Sequence, residues 1–230
     1  MAGFLANILK PHTPIIAQVA LTITFLHFLS GLFLLNDIRK KGSSTGVPAI
    51  PFLGGLALSF VNLKFGAIIR DDATIRINFI GFALNVIYLY IYYYYTPGNR
   101  KTKVWGQIGL TGLFCIASLL YAEFEDSEIV EYRFGIFCTA VLMALVGSPF
   151  LSLGEVFRTK STESLPLPIM LSGTVVSFSW LIYGAAISNS TIIVQNVLVV
   201  IVSMMQLSLF LIFPKKRASG KKAKQAKKVQ

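Results

Sequence analysis

The stretch Ser177-Phe-Ser-Trp-Leu-Ile-Tyr-Gly184 decides how the chain is organised, because a related stretch precedes it by 118 positions. The earlier copy is Ser59-Phe-Val-Asn-Leu-Lys-Phe-Gly66. An asparagine follows the final glycine by twelve residues in both places, Asn196 in one and Asn78 in the other. A carboxamide inside an apolar helix is costly unless it serves a function or has a partner. Two asparagines at one period therefore predict a shared site.

The composition predicts an all-α membrane protein. Hydrophobic residues make up 54% of the chain and charged residues 13%, and the mean hydropathy is +0.68. Soluble domains have about 25% charged residues. A helix needs about 20 apolar residues to cross a bilayer, and seven such windows are present. We place these seven spans at 14–36, 48–69, 75–96, 104–122, 134–154, 166–187 and 191–213.

Spans one to three are echoed by spans five to seven at the same offset. Asp37 aligns with Glu155, and Lys40 with Arg158. Three crossings invert a repeat and a fourth restores its direction, so the two halves are parallel. This predicts a 3+1+3 architecture with a site between the halves. The predicted units are a first repeat (1–103), linker span four with an acidic loop (104–133), a second repeat (134–214) and a basic tail (215–230).

Span four carries a glycine at every third position, at Gly106, Gly109 and Gly112. Small residues along one stripe of a membrane helix allow close packing. We interpret span four as a linker that crosses the membrane.

Positive charge predicts how the chain threads the membrane. Short loops rich in Lys and Arg stay in the cytosol. Sixteen of the 21 basic residues fall on one side, in the loops after spans one, three and five and in the tail. The N-terminus is thus expected outside or in a lumen, and the C-terminus in the cytosol. The tail is expected to lie against anionic lipid headgroups and not to bind nucleic acid, since no base-reading module accompanies it.

Several motifs together resemble the SWEET family of sugar transporters, of the animal, MtN3/saliva-like type. The resemblance covers nearly the whole chain. Its residues are Ser148-Pro149, Lys160-Ser-Thr-Glu-Ser-Leu-Pro-Leu-Pro168, Ser179-Trp-Leu-Ile-Tyr-Gly184, Asn196, Pro51-Phe-Leu, Phe65-Gly66 and Asn78.

The resemblance implies uniport of mono- or disaccharides such as glucose by alternating access, with the sugar held between the repeats. It implies that Asn78 and Asn196 bind sugar hydroxyls and that Trp180 supplies a ring wall. Asn62 stands at the position in the first half that corresponds to Trp180, which affects substrate size and selectivity. Self-association is also implied.

Hinge positions follow from the same resemblance. They are Pro51, Pro149 and either Pro166 or Pro168, which let the halves rock. Span one has Gly31 where a proline would stand, and glycine can also bend.

The chemistry of a neutral sugar agrees with these residues. It needs hydrogen-bond donors and acceptors and an apolar face, which two amides and an indole supply. No acidic residue lies near the middle of a predicted span, which favours uniport over proton coupling. His27 is open to two interpretations, a proton-handling group or a structural hydrogen bond. We expect no metal, no cofactor and no enzyme activity, because no nucleophile–base or metal-ligand cluster appears.

Two other classes of function remain as alternatives. One is a related repeat-type transporter of another small solute such as an amino acid, although neither Pro51 nor Pro149 is followed by the Gln of proline–glutamine loop proteins. The other is a seven-helix receptor, a class that lacks a parallel repeat. Plasma membrane and Golgi are both expected locations, and Lys227-Lys228 resembles an early-secretory retrieval signal. The sequon at Asn189 lies so close to helix ends that we expect no glycan there.

Overall fold

The computed structural model describes residues 7–147, 156, 158, 160–162, 165 and 167–213. Among the residues named above, Ser148, Pro149, Glu155, Glu163, Ser164 and Pro166 lie outside the described residues. So does the basic tail with Lys227-Lys228.

The described helices account for all seven spans. Span one consists of α1 (Thr13–Phe28), which follows a 3-10 turn at Lys10–His12, and α2 (Gly31–Lys41). Spans two to seven are α3 (Ile50–Ile68), α4 (Asp72–Tyr94), α5 (Gly98–Phe124), α6 (Val130–Val146), α7 (Leu167–Ala186) and α8 (Ser190–Ile212). Every span except the fifth is long and apolar enough within the described residues to cross a membrane. For span five, α6 has 17 residues, and residues 148–155 beyond it are not described.

Span four begins earlier than its apolar window predicts. The window starts at Val104, whereas α5 starts at Gly98. Its first turns carry Arg100, Lys101 and Lys103, which an apolar window leaves out. The long stems of such residues lie along apolar surface while their charges reach water, so a helix can begin there.

Helix packing repeats between the two halves. In the first half α4 packs against α3, α1 and α2, and in the second α8 packs against α7 and α6. Between the halves, α1 packs against α7 and α3 packs against α6. We call these contacts the 1–6 seam and the 5–2 seam, after their spans. Exchanging the halves converts one seam into the other, which confirms two parallel three-helix repeats.

The turn between the second and third spans has the same backbone in both repeats. Arg70 and Ser188 occupy the equivalent position and adopt φ values of 54° and 57°. That left-handed region is uncommon for residues with a side chain. The next residues, Asp71 and Asn189, accept hydrogen bonds from amides three positions later, at 2.8 and 3.0 Å, and so cap α4 and α8. We call this end of the molecule the Asp71 face.

A glycine makes this turn possible in each repeat. The Asp71 amide donates to the Gly66 carbonyl at 2.9 Å, and the Asn189 amide donates to the Gly184 carbonyl at 3.0 Å. A Cβ on Gly66 would lie 3.1 Å from the next helix's backbone nitrogen at Ile75, and one on Gly184 would lie 2.8 Å from a side-chain carbon of Ile192. Both glycines are therefore required for helix-to-helix contact.

The opposite end repeats as well, and we call it the Gly42 face. Gly42 and Lys160 occupy equivalent positions with φ values of 65° and 49°. Ser44 through its amide and Thr162 through its hydroxyl each bond the carbonyl just past the third helix of its repeat, at 2.9 and 3.1 Å. The repeat therefore extends from the helices into the loops at both faces.

The linker α5 lies between spans two and five. It packs against α3, where Glu123 pairs with Lys64. Its aromatic rings meet those of α6, for example Tyr121 with Phe134 at a centroid distance of 6.2 Å. It also meets α4, because Trp105 Nε1 donates to Tyr93 Oη at 3.0 Å. Span four thus contacts helices of both repeats.

The span-four glycines, Gly106, Gly109 and Gly112, do not pack against another helix of the described chain. A Cβ on any of the three would meet no atom of the described chain within 4 Å. The contacts of span four are made instead by residues such as Trp105, Tyr121 and Glu123.

Candidate functional site

Asn78 and Asn196 have the same side-chain geometry in their repeats. Each is half-buried on the third span of its half. Asn78 Nδ2 donates to the Thr74 carbonyl at 2.9 Å, and Asn196 Nδ2 donates to the Ile192 carbonyl at 2.8 Å. One hydrogen of each amide is thereby used within the helix. The second N–H and the Oδ1 of each remain available to a ligand.

Trp180 is fixed in the 1–6 seam by its indole nitrogen. Nε1 donates to Thr24 Oγ1 at 2.8 Å, while that hydroxyl donates to the Ala20 carbonyl at 2.7 Å. Tyr183 meets the indole edge-on, with ring centroids 5.3 Å apart and planes at 89°. Because the N–H is occupied, only the ring surface of Trp180 can serve a ligand.

Asn62, the counterpart of Trp180, makes no equivalent contact between the repeats. Its Nδ2 donates to the Leu58 carbonyl of its own helix at 3.0 Å. The amide is half-buried. The two halves thus present a large ring at one position and a small amide at the other.

The described hinge residues lie at helix starts. Gly31 is the first residue of α2, Pro51 the second of α3 and Pro168 the second of α7. A proline in the first turn removes no intrahelical hydrogen bond, because those amides have no partner within the helix. Rocking about these residues stays a prediction, as it does for Pro149 and Pro166.

The two seams differ in chemistry at one further pair of equivalent positions. In the 1–6 seam, His27 Nδ1 and Ser172 Oγ lie 2.8 Å apart in a hydrogen bond. In the 5–2 seam the equivalent residues are Leu145 and Gly54. A Cβ on Gly54 would lie 2.5 Å from Leu145 Cδ2, so these two residues are in apolar contact. His27 makes a bond between the repeats, as its structural interpretation requires.

Sequence reasoning missed a polar contact between the repeats at the Asp71 face. Tyr183 Oη donates to Asp71 Oδ1 at 2.5 Å, while Asp71 Oδ2 accepts the Thr74 amide at 2.8 Å. The equivalent pair would be Phe65 and Asn189, and Phe65 has no hydroxyl. Two signals were available, since Tyr183 lies within the repeated stretch and Asp71 aligns with a second capping residue.

An ionic network joins spans four and five at the same face. Arg133 NH1 lies 3.2 Å from Glu125 Oε2. The hydroxyl of Tyr121, together with the Arg133 guanidinium, holds the pKa of Glu125 below its usual range. The loop acid therefore stays charged at neutral pH.

Acids within the described helices lie near helix ends, as Asp37, Asp72, Glu123 and Glu131 do. Over the part of the chain that the structure describes, no three His, Cys, Asp or Glu residues cluster as metal ligands would.

Comparison with known proteins identifies the family. The family model described as "Sugar efflux transporter for intercellular exchange", MtN3_slv, matches twice, over residues 14–100 and 132–218. The bounds of the two matches are displaced by 118 residues, the period found in the sequence.

Similar proteins are found in animals and plants. The Drosophila pseudoobscura pseudoobscura protein named sugar transporter SWEET1 is 32% identical over 207 residues, which is 90% of this chain and 92% of that protein. Human sugar transporter SWEET1 is 27% identical, with 83% and 86% coverage. The Arabidopsis thaliana bidirectional sugar transporter SWEET9 is 30% identical, with 83% and 75% coverage.

A solved structure of a eukaryotic SWEET transporter has the same fold. It superposes with a TM-score of 0.77 at 23% identity and covers 90% of this chain and 98% of that chain. The fold thus defines a seven-span membrane protein of two parallel three-helix repeats joined by a linker helix. The chain belongs to the SWEET family of sugar transporters. It is accordingly not an enzyme.

Proposed function

We propose that this protein is a uniporter that carries mono- or disaccharides such as glucose by alternating access. The observation that supports the proposal is the matched geometry of Asn78 and Asn196. Each amide keeps one donor and one acceptor free after bonding its own helix. A sugar presents hydroxyls in all directions around its ring, so a two-fold pair of amides can hold it from both halves.

The ring of Trp180 supplies the apolar side of the proposed site. Sugars carry C–H faces that lie against aromatic rings, and the indole N–H is already occupied by Thr24. Asn62 at the equivalent position leaves the first half more polar. We infer that a sugar lies closer to the second repeat, with Trp180 beneath its C–H face.

Uniport follows from the placement of charge. The acids of the described spans lie near the ends of helices, so none offers a proton or sodium relay through the middle of these spans. His27 is engaged by Ser172 across the seam, which supports a structural role. The sugar gradient then supplies the driving force.

The orientation and location of the protein are part of the proposal. The Asp71 face lies outside or in the lumen, and the Gly42 face lies in the cytosol, since Arg39, Lys40 and Lys41 end α2 there. The basic tail lies against anionic lipids of the plasma membrane, the Golgi or both. Self-association of the chain, which the family resemblance implies, is also part of the proposal.

The test is uptake of labelled glucose into liposomes that contain the purified protein. Asn78→Ala and Asn196→Ala should each abolish uptake while the protein folds and inserts. Asn85→Ala is the matched control, because Asn85 makes the same bond to its own helix, at 2.8 Å. Its Oδ1, however, packs toward Gly55 of span two in the same repeat.

No uptake of several sugars above empty vesicles would reject the proposal. Uptake of labelled amino acids by the same vesicles would assign the protein to a different solute class.

A further inference from the structure

In each repeat, the helix end in the first span accepts a hydrogen bond from a side chain of the third span. Phe28 is the last residue of α1 and Val146 is the last residue of α6, at the offset of 118. Carbonyls at the end of a helix have no partner within it. Tyr88 Oη donates to the Phe28 carbonyl at 3.1 Å, and Gln206 Nε2 donates to the Val146 carbonyl at 2.8 Å.

The two donors are themselves equivalent. Tyr88 and Gln206 differ by 118 positions and lie on the third span of each repeat. Both are buried, each with 3% of its surface exposed. Different residue types therefore provide the same hydrogen bond at the same place. An accidental contact would not be expected to recur in both repeats with different side chains.

The bond in the first repeat compensates for a break in span one. In a continuous helix the Leu32 amide would bond the Phe28 carbonyl, but it bonds Leu29 at 3.0 Å. Without Tyr88, the Phe28 carbonyl would have no donor among the described residues in a medium that supplies no water, which is unfavourable. The hydroxyl therefore stabilises the broken form of span one over the continuous form.

The same ring explains why Gly31 follows the break. A Cβ on Gly31 would lie 2.6 Å from Tyr88 Cε2 and 3.0 Å from Cδ2. The ring cannot move away easily, because it also contacts Phe52 edge-on at 6.1 Å. In the sequence of the second repeat, Pro149 stands at the position equivalent to Gly31, and Gln206, which has no ring, stands at the position equivalent to Tyr88. The residues at these two positions thus differ together between the repeats.

We propose that Tyr88 and Gln206 are positioning residues that hold the ends of α1 and α6 during transport. Each third span, which carries the asparagine of the site, is then tied to the helix end of its first span. Movement of that helix end and movement of Asn78 or Asn196 are mechanically linked through this bond. The inference rests on the proposed transport function for its consequence, but its geometry is independent of any substrate.

Removing one hydroxyl tests the link. Tyr88→Phe keeps the ring and deletes the bond to Phe28. Tyr92→Phe is the matched control, because Tyr92 is equally buried on the same helix and donates to the Val47 carbonyl at 2.8 Å, away from the break. Gln206→Met is the corresponding change in the second repeat.

Sugar exchange in liposomes is measured as turnover and as half-saturating concentration. Tyr88→Phe and Gln206→Met should lower turnover by about fivefold, with less change in half-saturation, since one hydrogen bond that holds the helix end is lost. Tyr92→Phe should match the parent protein. Equal turnover in Tyr88→Phe and Tyr92→Phe would overturn the proposal.

A second measurement does not depend on transport. Gly31→Ala should lower the melting temperature in detergent, and Tyr88→Gln should restore most of that loss, because it removes the ring and supplies an amide. The same alanine at Gly109, which faces open space, should show no coupling to Tyr88→Gln. Additive effects of Gly31→Ala and Tyr88→Gln would overturn the proposal even if the protein carries no sugar, and rescue would support it.

Discussion

Tyr183→Phe should open the Asp71 face without weakening the helix cap beneath it. The variant deletes only the hydroxyl that reaches Asp71 Oδ1. Oδ2 still accepts the Thr74 amide, so α4 remains capped. Tyr183 belongs to the second repeat and Asp71 to the first, and in the proposed alternating access this face separates there to admit a sugar. The bond therefore stabilises the closed form alone.

The size of the effect follows from the type of bond. A hydrogen bond to a charged acceptor contributes about 1.5–3 kcal/mol. Tyr183 is 3% exposed, so bulk water competes little for its hydroxyl. Loss of the bond should raise the equilibrium ratio of open to closed form by roughly 10- to 150-fold.

The assay is labelling of a reporter cysteine at Ala186, which is buried near that end of α7. A membrane-impermeant maleimide should label Ala186→Cys at least about tenfold faster in the Tyr183→Phe background, in line with the lower limit of the change in that ratio. The native Cys115 and Cys138 are buried, and protein without the reporter gives their background. An unchanged labelling rate in folded protein would refute the reasoning. Tyr92→Phe, whose bond lies within one repeat, controls for loss of a buried hydroxyl.

Three other predictions follow from contacts in the seams and turns. Thr24→Val should lower the free energy of unfolding by about 1 kcal/mol in thermal unfolding, because the indole N–H of Trp180 loses its acceptor. In a Trp180→Phe background, which has no indole N–H, the same substitution should cost less. An equal loss in both backgrounds would contradict the assigned bond. Gly66→Ala and Gly184→Ala should each cost about 1–3 kcal/mol because of the contacts their Cβ atoms would make. Alanine at the span-four glycines should instead be neutral or stabilise the protein by up to about 1 kcal/mol. If alanine lowered the stability equally at Gly66, at Gly184 and at the span-four glycines, the packing argument would be rejected. His27→Gln should carry sugar, and neither it nor the parent should respond to an imposed pH gradient; accumulation driven by protons would exclude uniport.

The repeat could be predicted because similar residues recur at one fixed spacing along the chain. Asn78 and Asn196 fall at one offset, and a linker of odd span number makes the halves parallel. From those two facts the exchange symmetry of the seams follows. The left-handed backbone that Arg70 and Ser188 share could not be predicted, because these residues differ in type and neither is a glycine.

Contacts between the repeats were beyond the reach of the sequence. The bond from Trp180 to Thr24 and the one from Tyr183 to Asp71 join residues more than 100 positions apart. They depend on side-chain rotamers and on the placement of one half against the other. Periodicity within a helix contains neither kind of information.

Glycine spacing shows the same limit. The regular stripe on span four allows close packing, yet a Cβ there would meet no atom of the described chain within 4 Å. Gly66 and Gly184, without any stripe, pack against backbone or a neighbouring side chain. Spacing determines which residues share a face of a helix. What that face meets is decided by the neighbouring helices.

The unequal seams bear on how such a chain could be assembled from pieces. Two copies of the first half would bring Thr24 opposite Asn62, whose amide is already bonded to its own helix. Two copies of the second half would bring Trp180 opposite Leu142, which leaves the indole N–H unpaired in a medium where no water replaces the lost partner. Only a first half joined to a second half satisfies the indole. If the halves were expressed as separate polypeptides, a first half should associate with a second half in preference to another copy of itself. A half-length ancestor with either sequence would therefore have paired poorly with its own copies.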